Sequence, residues 1–160
     1  EGYATNKCKE MMLAKGIKAG IVNGTGDMST WGKQPNGKPW NIGVTNPYHP
    51  DNLLGVIPLT QGAITTSGSY EKFVVFDGKR YSHIINPATG YPVTGLCSVT
   101  VLGPNAETAN GLSTSLMVLG KKAGLELLIQ FPEYSCLMIT DDGKIVKSKN
   151  FRIKKFHPHL

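Results

Sequence analysis

The run Phe73-Val74-Val75-Phe76, then Asp77-Gly78, then Lys79 to Ile85 limits the fold more than any other stretch, because a turn-forming dipeptide joins two β-rich runs. The pattern predicts a hairpin. It empties into Asn86-Pro87-Ala88-Thr89-Gly90-Tyr91-Pro92, which must be irregular, since two prolines and a glycine break either periodicity. Trp40 to Thr45, Leu53 to Thr60, Gly62 to Thr66 and Ser98 to Leu102 read as further short strands, and Ser135 to Thr140 with Lys144 to Ser148 as a last hairpin around Asp141-Asp142-Gly143.

Helical spacing occurs in three places. Cys8, Met11, Met12 and Lys15 predict a helix over Asn6 to Gly16, followed by a strand over Ile17 to Val22. Ala109, Leu112, Leu116 and Leu119 form an apolar stripe along Ala106 to Leu119 that Gly120 closes, and Lys121 to Phe131 gives a second helix closed by Pro132. Asn23 to Trp40, rich in Gly, Pro, Asn and Lys, reads as a long excursion with hairpin character. With no internal repeat or linker, residues 1–160 form one α+β unit, a mixed, mainly antiparallel sheet with packed helices.

The net charge of +6 invites a nucleic-acid reading, but its placement argues against one. Lys144, Lys147, Lys149, Arg152, Lys154 and Lys155 stand in the acid-free last seventeen residues, which leaves eleven basic and eleven acidic residues in 1–143. Phe151, Ile153 and Phe156 alternate with those charges, the pattern of an edge strand kept soluble by lysines. Cys8, Cys97 and Cys136 are too scattered for a disulfide framework or a zinc site and read as small buried apolar residues. No apolar stretch approaches the roughly 20 residues of a membrane span, and the first residues lack the basic-then-apolar pattern of a secretory signal.

Few residues carry chemistry on their own. His83 lies where the predicted hairpin meets the irregular loop, a place suited to proton transfer and equally to a structural hydrogen bond. Asn23-Gly24-Thr25-Gly26-Asp27 could bring backbone amides close to a phosphate or simply end a strand. Asn110 and Thr114 stack one turn apart on the predicted helix and offer two hard oxygens, either to a cation such as magnesium or to solvent.

Thr66-Ser67-Gly68-Ser69-Tyr70-Glu71-Lys72 followed by Asp77 to Val93 resembles the signature of the ApbE flavin transferases. Gly2-Tyr3-Ala4, Asn23 to Asp27, Trp40 to Val44 and Ala109 to Leu116 are similar to family stretches in the expected order, so the resemblance spans Gly2 to about Gly143, the latter part of a family member. It implies an ApbE-like fold in which an N-terminal portion helps to bind flavin. It also implies cleavage of FAD at its diphosphate, release of AMP, and attachment of FMN to a Ser or Thr hydroxyl of an acceptor protein. Such acceptors are often part of a membrane redox complex, and family enzymes are bacterial, exported to the periplasm or anchored as lipoproteins.

By matching positions, magnesium would be held by the Ala4 carbonyl, Asn110 and Thr114; Glu1, Lys7, Gly26, Asp27, Ile84 and Thr89 would lie along the FAD; and His83 would stand nearest the transferring phosphoryl. Glu1 replaces the family's usual Lys, while Asn6 and Asn110 each replace an Asp. Asn110 still offers a carbonyl oxygen, but hard-ion affinity follows ligand charge. The alternatives are an FAD pyrophosphatase that delivers FMN to water and a non-catalytic FAD-binding protein.

Overall fold

A computed structural model describes residues 1–70 and 72–155, with Lys79 and Arg80 as backbone only; Glu71 of the motif and Phe156 of the basic tail lie outside the described residues. The order is α1 (Gly2–Ala14), β1 (Gly20–Gly24), β2 (Asp27–Trp31), β3 (Trp40–Asn46), β4 (His49–Leu59), β5 (Gly62–Gly68), β6 (Phe73–Phe76), β7 (Lys79–Ser82), β8 (Leu96–Gly103), α2 (Ala106–Leu128), β9 (Ser135–Thr140) and β10 (Ile145–Lys147). Six strands form the central sheet in the order β1-β2-β5-β8-β9-β10, while β3-β4 and β6-β7 are separate hairpins. Every strand pair described is antiparallel, as expected of an α+β fold with a mainly antiparallel sheet.

Side-chain alternation splits the core into two layers across this sheet. On one face Val99, Val101, Cys136 and Met138 pack against Ala109, Leu112, Leu116 and Met117 of α2. On the other, Ile64, Leu137 and Ile139 meet Ile42, Val44 and Ile57 of the β3-β4 hairpin and Phe151. A register shift between Leu96 and Ser98 sends Cys97 and Val99, two residues apart, into opposite layers.

The helix expected from Asn6 begins instead at Gly2, because Gly2 is where α1 lies against α2: a Cβ there would stand 2.4 Å from the Ala106 carbonyl oxygen. The excursion after Asn23 hides β2, which pairs with β1 around Thr25 (φ 52°) and Gly26 (φ 109°), so the Asn23–Asp27 segment is a tight hairpin turn. The strand expected to run to Ile85 is bounded at Ser82, and the His83 amide bonds the carbonyl of Lys72, the residue opposite it in the hairpin register, at 3.1 Å. Gly120 takes φ 74° and ψ −179° and breaks α2, as the apolar stripe predicted. Cys97 and Cys136 are buried, but Cys8 is exposed, because α1 buries only Gly2 and Thr5. Among the described residues no helix is long and apolar enough to cross a membrane.

Asn6 ties these parts together. Its Oδ1 accepts from Ser29 Oγ at 3.2 Å and from the Ala106 N–H at 3.1 Å, which satisfies one of the free amides in the first turn of α2. Asn6→Ala is therefore expected to cost about 1–2 kcal/mol in urea unfolding, and Asn6→Asp, which keeps the acceptor oxygen, much less than that.

Candidate active site

The hairpin β6-β7 delivers His83 to the rim of a cleft of about 540 Å³ whose lining also includes Glu1, Asp27, Ser67, Lys72, Ile84, Asn110 and Thr114. His83 is held by one backbone atom. Its Nδ1 lies 2.9 Å from the Lys72 carbonyl oxygen, which can only accept, so Nδ1 carries the hydrogen and Nε2 is the nitrogen left to take a proton in the neutral ring. Ile84, buried in the α2 layer, anchors the next position, and its carbonyl accepts from the Val93 N–H at 2.9 Å.

Opposite His83, α1, β2 and α2 converge. Asp27 opens β2 and is 3% exposed, and its Oδ2 accepts from Asn110 Nδ2 at 2.8 Å. Burial pushes its carboxyl up to about 6, and the charge of Glu1 adds to that rise, while bonds from the Asn110 side chain and the Gly2 amide oppose it. The Gly2 bond satisfies an amide at the start of α1, where Glu1 makes no side-chain cap. One turn along α2 from Asn110, Thr114 Oγ1 lies 3.2 Å from Ser67 Oγ, which also bonds Ser113 Oγ at 2.8 Å.

A family profile described as the ApbE family matches residues 1–138. The chain belongs to the ApbE family. It is similar to an FAD:protein FMN transferase of Klebsiella pneumoniae, 35% identical over 92% of this chain and 43% of that protein. Among solved structures it resembles an ApbE protein of Thermotoga maritima, with TM-score 0.85 and 36% identity over 92% of this chain and 48% of that one. The flavin transferase ApbE of Vibrio cholerae gives TM-score 0.80 and 34% identity over 94% and 48%. The chain thus spans less than half the length of these relatives.

In this ApbE chain the cleft gathers six of the residues expected from the motifs: His83, Glu1, Asp27, Ile84, Asn110 and Thr114. Four others lie outside its lining. Ala4 is exposed in the first turn of α1; Lys7 pairs with Glu10 at 2.7 Å; Gly26 sits at the tip of the β1-β2 turn; and Thr89 Oγ1 accepts from the Tyr91 N–H at 3.3 Å. Ser67 and Ser113 were not singled out by the sequence. Their signal was the alternation in β5, where Ala63, Thr65 and Ser67 face α2. A second cavity, of about 590 Å³, is lined by Leu125, Leu128, Ile129 and Tyr134 with Lys147 and Lys149, and holds no residue of these motifs.

Asp27 gives a pH test. Its folded pKa of about 6 lies above the ordinary 3.8, so the folded chain binds the proton more tightly, and its contribution is full below 3.8 and lost as pH rises through 6. In metal-free buffer, the stability of the wild type relative to Asp27→Asn should fall between pH 4 and pH 7 by at most about 3 kcal/mol, read from paired urea titrations.

Proposed function

We propose that this chain is the phosphate-handling part of an FAD:protein FMN transferase, which moves FMN from FAD to a Ser or Thr hydroxyl of an acceptor protein and releases AMP. The observation that carries this reading is the pairing, across one cleft, of His83, its Nδ1 spent on the Lys72 carbonyl, with the oxygen groups of Asn110 and Thr114. The names of the relatives supply the substrate class.

His83 Nε2 takes the proton of the acceptor hydroxyl as its oxygen bonds the FMN phosphorus. The phosphorus–oxygen bond to the adenylate half breaks, and AMP leaves with that oxygen. Lys72, on the cleft wall, offers a positive charge to the phosphate oxygens. The donor set suits magnesium, since Asn110 Oδ1, Thr114 Oγ1 and Ser67 Oγ are hard oxygens and the cleft lining has no sulfur. When bound there, the ion would neutralise charge on the diphosphate. Activity at an exported membrane redox protein belongs to the same proposal.

The test incubates the protein with FAD, magnesium and a co-produced candidate acceptor, and measures AMP and covalent flavin separately. Both should form, and His83→Ala should slow both by about 100-fold or more. AMP without labelled acceptor would instead identify a pyrophosphatase, and bound FAD without AMP a flavin-binding protein.

A further inference from the structure

Asn110 is a neutral side chain at a position suited to a cation ligand, yet it does not stand alone. A carboxylate can only accept hydrogen bonds, so the 2.8 Å contact with Asp27 Oδ2 fixes which end of the Asn110 amide faces Asp27. The nitrogen is committed to Asp27, and Oδ1 points from the opposite end of the planar group. Asp27 is 3% exposed, and among the described residues it makes no ion pair with a Lys, Arg or His; the cleft lining carries Glu1, of the same sign, and Lys72, whose carbonyl holds His83. A buried carboxylate beside a second carboxylate is stable where a cation lies nearby.

We propose that Asp27 and Asn110 act together as one relayed carboxylate: Asn110 presents a neutral oxygen to a divalent cation, and Asp27, one hydrogen bond behind, supplies the negative charge and locks the amide. Asp27 is thus a positioning residue. The hydrogen bond also draws electron density toward Oδ1, which strengthens it as a ligand. The negative charge of the pair then sits on β2, one hydrogen bond behind the neutral oxygen on α2. This inference rests on the metal-dependent reading of the cleft.

The experiment titrates Mn²⁺ by electron paramagnetic resonance, with and without ADP, into the wild type, Asp27→Asn, Asn110→Asp and the double variant, with circular dichroism as the check on folding. Asp27→Asn removes a buried charge at constant shape, so the fold should persist. Its Mn²⁺ affinity should drop about 10- to 100-fold. Asn110→Asp should bind more tightly than the wild type, and the double variant, which restores one carboxylate directly at α2, should recover at least wild-type affinity. Wild-type affinity in Asp27→Asn, or a double variant no better than it, overturns the inference. So does Mn²⁺ binding by Asn110→Asp when the wild type binds none, although the metal site itself then stands. Absence of Mn²⁺ binding in all four proteins overturns the metal-dependent reading along with it.

Discussion

The site depends on the close approach of α1 to the first turns of α2, and that approach depends on Gly2. A Cβ at this position would meet the Ala106 carbonyl oxygen at 2.4 Å and Asn110 Cβ at 3.0 Å, so no other residue lets the helices touch here without displacement. Two polar side chains then bridge the contact. Asn6 Oδ1 takes the Ala106 amide and Ser29 Oγ, and Asp27 takes Asn110 Nδ2 and the Gly2 amide; within α1, Thr5 Oγ1 donates to the Glu1 carbonyl oxygen at 2.9 Å. The start of each helix thus finds partners for its amides in side chains from other elements.

Behind that contact the sheet supplies rigidity. Thr65 and Ser67 on β5 reach Ser113 and Thr114 on α2 through a chain of hydroxyl contacts of 3.5, 2.8 and 3.2 Å, which runs from the core to the cleft. Among the described residues, no buried side-chain nitrogen or oxygen lacks a partner. Leu112 and Leu116, on the same helix, are 5% and 0% exposed, so α2 is fixed by apolar contact on the face that turns away from the cleft opening.

The parts legible in the sequence were those with a local cause. The Asp77-Gly78 turn, with φ 49° and 71°, needed only its own residues, and so did the α2 stripe and its break at Gly120. His83 was legible because a hairpin ran into a proline-bent loop. What escaped was set by distant neighbours. The start of α1 is fixed by α2, which no periodicity within residues 1–16 records, and β2 carries buried Asp27, Ser29 and Thr30 where an apolar alternation would have announced a strand. Cys8 read as apolar, yet α1 offers the sheet little beyond its first turn. The role of Asn110 was half legible: its oxygen could be read from the motif, but the carboxylate beside it comes from a strand 83 residues away in the chain.

His83 is positioned by a different logic from the residues opposite. The alternation of buried Ser82 and Ile84 with exposed His83 and Ile85 puts the imidazole on the cleft side while its neighbours hold the backbone. On the N-terminal side, Val74, Val75 and Phe76 are 66%, 62% and 73% exposed, so β6-β7 gains little from core burial and is a weak anchor by itself. Two bonds to one Lys72 carbonyl, from the His83 amide and from Nδ1, close the base of the hairpin and set the ring at the same time. The proton-accepting nitrogen is thereby placed by backbone geometry, while the ion-binding oxygens are placed by helix packing. Ile84 and Val93, which join the hairpin to the α2 core, and Ser69, whose amide bonds the Cys97 carbonyl at 2.9 Å, therefore help to fix the distance between them.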